Sequence, residues 1–202
     1  MTNIQKLGSV AAFINAIVSI ATLLVAIFLI GLSALADASK FVDLAINNPT
    51  PLIIQDLLKF VSAASGCVLI LALSQHLNSD TPKLILFANI FGFFSLFCLV
   101  TNGGLSIYTI SQASFYAKEI YSLGGQLNAI IGLLAVTLIV FNGLWLLLVS
   151  WSALKSNRLP KFFCYLGFGM GVLSLIPQLG IFVLILSVIW SVWLGRLLWT
   201  DR

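Results

Sequence analysis

From Leu7 to Leu35 the chain runs without a single ionisable side chain, which amounts to about 43 Å of helix at roughly 1.5 Å per residue. That exceeds the roughly 30 Å hydrocarbon core of a bilayer, and apolar runs of comparable character recur along the rest of the sequence. Of the 202 residues, 60% are hydrophobic and 8% charged, whereas a water-facing domain needs roughly a quarter charged residues to cover itself. The expected fold is all-α: a polytopic transmembrane helical bundle of about six membrane-spanning helices, forming a single transmembrane domain over 1–202. The formal charge of +4 is scattered and forms no basic stripe interleaved with aromatics, so no nucleic acid partner is expected. Cys67, Cys98 and Cys164 sit in or beside apolar runs with no metal-binding spacing, which reads as reduced packing residues.

Spans are expected at about 7–35, 51–75, 84–102, 126–151, 162–176 and 179–199, with outer connections at 37–50 and 105–123. Ala34-Leu35-Ala36 resembles a signal-peptide cleavage site, but the apolar stretch before it far exceeds an h-region of about 7 to 15 residues. The first helix is therefore expected to be retained. In the 37–50 connection, Phe41, Val42, Leu44 and Ile46 suit a segment lying along the membrane surface. Thr50 can cap the second helix and Pro51 fits its first position. Gly103-Gly104 is expected to weaken the third helix, and Pro177 interrupts the fifth. That fifth helix makes only about 22 Å, short for a full span.

Lysine and arginine collect on the cytoplasmic side of short loops. Six spans put Lys6, Lys83, Lys155, Arg158, Lys161, Arg196 and Arg202 on one side and Lys40, Lys59 and Lys118 on the other. Both termini are thus expected in the cytoplasm. Tyr108, Tyr116 and Tyr121 outside, and Trp151, Tyr165 and Trp199 inside, suit the two aromatic belts. No internal repeat marks an inverted-repeat transporter.

Ionisable residues deep in a bilayer are costly and usually functional. The nearest candidates are Asp56 and Lys59, at i and i+3 in the first turns of the second helix, expected as an interfacial ion pair or as the polar mouth of an outer cavity. His76 is the only histidine, which excludes bis-histidine haem ligation and multi-histidine zinc sites, and it is expected as a solvated loop side chain. Gly-x-Ser-x-Gly is absent and no base accompanies any serine nucleophile. No catalytic residue, metal or cofactor is therefore expected.

The remaining polarity is uncharged. Gly8, Ala12, Asn15, Ser19, Thr22 and Ala26 form a small, polar seam on the first helix, and Gly125, Asn128, Gly132, Ala135 and Asn142 form another on the fourth. Small residues let helices approach closely and amides bond across the contact; Ser62, Gly66, Gly132, Gly167 and Gly171 are the expected helix-packing positions. Counted from the helix ends, Asn15, Asn89 and Asn142 lie at roughly 9 to 14 Å depth from the cytoplasmic side. With Ser74 and Ser191 they form a candidate polar cluster, serving as interhelical glue or lining a small pocket.

Asn142-Gly-Leu-Trp-Leu-Leu-Leu-Val-Ser-Trp-Ser-Ala-Leu-Lys-Ser-Asn-Arg-Leu-Pro160-Lys-Phe-Phe-Cys-Tyr-Leu-Gly167 resembles the uncharacterised bacterial membrane family labelled domain of unknown function 4386 (DUF4386). There a Leu-rich helix ends in a Ser-x-x-Leu-Pro-Arg/Lys turn and re-enters at Tyr-x-Gly. The resemblance implies a six-helix protein of the bacterial inner membrane and carries no activity with it.

With the lipid bilayer as its surroundings, the chain is expected to be an interaction protein, associating with other membrane protein subunits or as a homo-oligomer. The alternative expectation is a carrier, channel or binding protein for a small uncharged or lipophilic molecule, using the asparagine cluster. A pigment-binding subunit is a weaker variant, since His76 alone would hold few cofactors.

Overall fold

The computed structural model describes residues 3–31, 38–77, 81–112, 123–176 and 179–200. Helix α1 spans Asn3–Leu24 and continues as one π-helical stretch, Val25–Ile30. It is followed by α2 (Ala38–Asn47), α3 (Thr50–Leu77), α4 (Pro82–Ser111), α5 (Leu123–Ser156), α6 (Lys161–Ser174) and α7 (Gly180–Thr200). No strand occurs among the described residues. Five helices, α1 with its π extension, α3, α4, α5 and α7, are long and apolar enough to cross a membrane, so this is an all-α, multi-pass membrane protein.

Side-chain pairs fix how the helices run. Along α1 and α7, Ser9 donates to the Gly195 carbonyl at 2.6 Å, Asn15 to Ser191 at 3.0 Å, and Ser187 to Ser19 at 3.4 Å. One number rises as the other falls, so the two helices are antiparallel. The same reversal links α3 to α4 through Asn89–Ser74 and Lys59–Asn102, and α4 to α5 through Ser95–Leu138 and Asn102–Ile131. The chain therefore goes up and down around a closed ring, α1–α3–α4–α5–α6–α7, with α7 returning against α1. Residues 3 and 200 consequently lie at one end of the bundle, here termed the terminal end; α2 lies at the opposite, far end.

The terminal half is densely filled. Leu73, Leu77, Ile85, Met170, Leu194 and Leu198 are almost wholly covered, and Phe163 stacks on Trp190 with ring centroids 5.2 Å apart while Trp145 meets Trp190 edge-on at 6.0 Å. A second, smaller cluster at the far end joins Val25 and Ile30 of the π-helix to Ala45 of α2, Leu52 of α3 and Ile110 of α4. The π-helix stops at Gly31, whose φ of 84° is open to glycine and whose N–H reaches the Ala26 carbonyl at 3.0 Å.

Three boundaries differ from expectation. Helix α4 does not end at Asn102 but runs through Gly103-Gly104 to Ser111. Gly103 is buried, and a Cβ there would meet the Phe60 ring at 3.4 Å and the Asp56 carbonyl at 3.5 Å; its missing side chain brings α3 and α4 together. Interhelical packing outweighs the propensity cost, because a break in lipid would leave backbone groups unsatisfied. Of the 105–123 connection, its start is thus helix, and 113–122, with Tyr116, Lys118 and Tyr121, lie outside the described residues. The 37–50 connection contains a true helix, α2, which turns Ala45 inward and exposes Phe41, Val42 and Ile46. Residues 32–35 of the first expected span lie outside the described residues.

Helix α6 is the short element. Its 14 residues make about 21 Å, less than one hydrocarbon thickness. It ends where Ser174 meets Gly143, and α5, whose most extensive packing is on α4, continues toward the far end for another twenty residues.

Candidate functional site

The strongest concentration of polarity joins α3, α4 and α5 toward the far end. Lys59 Nζ donates to Asp56 Oδ1 at 2.5 Å and to Asn102 Oδ1 at 2.8 Å, and Asn102 Nδ2 donates to the Ile131 carbonyl at 2.8 Å. Asp56 and Asn102 are 3% and 2% exposed, while the Lys59 side chain keeps 25% exposure. The i,i+3 spacing puts acid and base on one face of α3, and Gly103 lets that face approach α4. Asp56 is covered by protein while Lys59 stays partly open; each charge is neutralised by its neighbour, and the amide spans to the next helix. Chemically the arrangement is a three-helix clamp, in which two ions and an amide are hydrogen-bonded to one another and to the next helix.

Asn102 was not legible as the third member. Its signal was an amide beside Gly-Gly in an otherwise apolar helix, read as a helix end instead of a close contact.

The five residues of the candidate polar cluster separate into two pairs. Asn15 joins Ser191 on α7 and accepts from Ser62 on α3 at 3.3 Å; Asn89 donates to Ser74 at 2.9 Å. Ser62 and Ser74 stand twelve residues apart on α3, so the pairs lie about 18 Å apart along the helix axis. Asn142 is half-buried and belongs to neither pair. Counting depth from the expected helix ends misplaced them because α1 begins at Asn3 and α5 runs on to Ser156, four and five residues beyond the expected ends, whereas α4 begins only two residues early. Asn15→Leu is expected to lower thermal stability in detergent by about 1–2 kcal/mol through loss of two interhelical bonds, and Asn142→Leu by much less. Equal melting temperatures for the two variants would contradict this placement.

Of the packing positions, Gly167 and Gly171 face α5: a Cβ at Gly171 would lie 2.9 Å from the Gly143 carbonyl and 2.7 Å from Leu147 Cγ, and Gly167 abuts Ser150 and Trp190. Gly66 meets Leu96, and Ser62 bonds Asn15. Gly132 is different, since nothing lies within 4 Å of a Cβ there. The seam on α1 is real: Gly8, Ala12 and Ser19 are buried. That on α5 is open, with Asn128 and Gly132 exposed. Gly92, Gly143 and Gly195 are further close-approach glycines the sequence did not single out.

His76 is not a solvated loop residue. It closes the last turn of α3 at 8% exposure, with Gln5 Nε2 at 3.5 Å from its Nδ1, and Arg158 donates to its carbonyl at 2.9 Å. A cavity of about 110 Å³ lies beside it, walled by Arg158, Leu159, Leu197, Leu198 and Thr200. Among the described residues no group of three or more His, Cys, Asp or Glu is placed to hold a metal. Cys67, Cys98 and Cys164 are free thiols, the last two buried.

A family model described as Domain of unknown function (DUF4386) matches residues 10–200. No curated protein and no solved structure matches the chain.

Proposed function

We propose that this chain, which belongs to the family described as Domain of unknown function (DUF4386), is a non-enzymatic interaction or accessory subunit of a membrane assembly that receives a neighbouring helix on the far half of α5. The observation that carries this reading is the mismatch between α5 and α6. On α5 the face that packs on α6 is Ser150, Leu147 and Gly143. Continued by helical steps beyond the end of α6, the same face presents Val136, Gly132 and Asn128, all exposed. Only 17% of the apolar window of α5 is buried, against 28–33% in the other four long helices.

A glycine with open space above it admits a close helix, and a carboxamide on an apolar surface gains from a partner across that contact. A carrier built on the asparagines is less well supported, because Asn15 and Asn89 spend their amides in separate helix contacts instead of facing a shared space. Among the described residues the excess of lysine and arginine at the terminal end, six (Lys6, Lys83, Lys155, Arg158, Lys161 and Arg196) against two (Lys40 and Lys59), supports placing both termini in the cytoplasm. The family resemblance suggests the bacterial inner membrane.

The test is purification from native membranes in a gentle detergent, followed by native mass spectrometry of wild type and Gly132→Trp. A stoichiometric companion subunit or second copy is expected with wild type and is expected to be lost in the variant, whose own melting temperature should stay within about 2 °C because the site is open. A wild-type monomer, or a complex indifferent to Gly132→Trp, would remove the proposal.

A further inference from the structure

Five helices change character on the side that faces the middle of the ring. On α5, Trp145 packs on Gly92 of α4 while Gly143, Leu147 and Ser150 meet α6, and Ile130, Leu133 and Trp151 on the opposite side are exposed. The stripe between the α4 and α6 faces is therefore the inner one. In the terminal half it carries Leu146, Val149 and Ala153, at most 3% exposed. Toward the far end the same stripe continues as Asn142 and Ala135, half-buried, and Asn128, exposed.

Helix α3 repeats the change. Its Lys59 bonds Asn102 of α4 and its Ser62 bonds Asn15 of α1, so the stripe that holds both also faces inward. At helical spacing it runs from Leu73 and Leu69, both covered, to Ser62, Lys59 and Gln55, all half-buried. On α1, α4 and α7, buried Gly8, Ala88 and Leu194 give way, close to whole turns further along, to half-buried Thr22, Ser106 and Ser187. The sixth wall ends where this lining begins, since α6 stops at Ser174 against Gly143, one residue from Asn142.

Several of these inner groups have no protein partner. Thr22, Gln55, Ser106 and Asn142 make no hydrogen bond to any described residue. Lys59 uses two of its three donors and keeps 25% side-chain exposure. Polar groups that join helices pair across the contact, as Asn15 does; left unpaired away from water they are costly. Their recurrence on one side of several helices is what a space filled by water requires.

We propose that the far half of the ring is a water-filled vestibule, entered from the far side and closed by the covered leucines of the terminal half, that binds a small uncharged, hydrogen-bonding solute. Asn128 stands at its mouth and Asn142 near its floor, about 21 Å apart along α5. Carboxamides and hydroxyls both donate and accept, so a solute of the amide or polyol type can take the place of water there. A charged solute would enter a low-dielectric space whose cation, Lys59, is already neutralised by Asp56. Asn15 and Asn89 spend their amides in helix contacts and are not part of the binding surface. The vestibule stands without the companion helix proposed above, which would wall the side left open where α6 stops.

The chain alone, reconstituted in lipid vesicles, would carry Asn142→Cys or, on the lipid-facing side, Leu133→Cys. Each variant would be treated on both faces with three methanethiosulfonates of similar size: the uncharged hydroxyethyl, the anionic sulfonatoethyl and the cationic trimethylammonioethyl reagent. Only a thiolate reacts, so a cysteine in hydrocarbon stays silent. Intact mass follows the labelling, with the unsubstituted chain as the blank for Cys67, Cys98 and Cys164. The uncharged reagent is expected to modify Asn142→Cys about tenfold faster than Leu133→Cys, and about tenfold faster than either charged reagent once each rate is divided by that with a free thiol. Because Asn142 makes no hydrogen bond to a described residue, its replacement leaves the packing intact. Equal rates at positions 142 and 133 would remove the vestibule. A charged reagent that matched the uncharged one at Asn142→Cys would overturn the assignment to an uncharged solute. Neither result bears on the accessory-subunit reading, which Gly132→Trp tests separately.

Discussion

Lys59→Met is expected to be the most destabilising single substitution in the molecule, by about 3–5 kcal/mol. The reason lies in what it leaves behind. Asp56 is 3% exposed and Lys59 is the cation within reach, 2.5 Å away; removing the ammonium strands a carboxylate inside the bundle and takes the donor from Asn102 Oδ1. In a chain of this size the loss corresponds to a fall of roughly 6–20 °C in melting temperature. Replacing both partners, Asp56→Asn with Lys59→Met, is expected to recover more than half of it, since no charge then remains to be desolvated. A double-mutant cycle in detergent measures the coupling directly. A coupling energy below about 0.5 kcal/mol would show the pair behaving as an ordinary exposed one and would remove the clamp described here.

Gly143→Val comes next. A Cβ at position 143 would stand 2.8 Å from Ser174 Cβ and 2.9 Å from the Gly171 carbonyl, and the reciprocal contact from Gly171 to the Gly143 carbonyl is also 2.9 Å. A backbone oxygen cannot rotate away as a side chain does, so α5 and α6 must separate, at a cost of about 3 kcal/mol. Gly171→Val should behave alike. Gly132→Val, with open space at its Cβ position, supplies the comparison and should melt within about 2 °C of wild type. If Gly143→Val and Gly132→Val melted together, the close α5–α6 contact would be untenable.

These two predictions draw on opposite kinds of legibility. The i,i+3 spacing of Asp56 and Lys59 is plain in the sequence, but which side of that helix is covered depends on Asn102 and Gly103, forty-odd residues away, and nothing local reports their arrival. Glycine was legible as a type and not as a role. Gly132, Gly167 and Gly171 sit in similar four-residue patterns, yet Gly171 presses against the Gly143 carbonyl, Gly167 against the Ser150 and Trp190 side chains, and Gly132 looks outward. In lipid, an apolar face turned to a helix and one turned to acyl chains have nearly the same composition, so the pattern alone does not distinguish them.

Length and the lack of charge determined the class of fold, the order of its helices and the shortness of α6, because hydrocarbon admits only segments that satisfy their own backbone. The α1 seam, Gly8 to Ser19, was legible for the same reason: small and amide residues recurring on one face of an apolar helix have few other uses. The tertiary structure alone decided that Asn15 and Asn89 lie in separate contacts, that α4 continues through its glycine pair, and that His76 is covered beside a small cavity. Those features arise from the relative height and unequal length of neighbouring helices. Such quantities belong to pairs of segments distant in sequence, and no single segment encodes them.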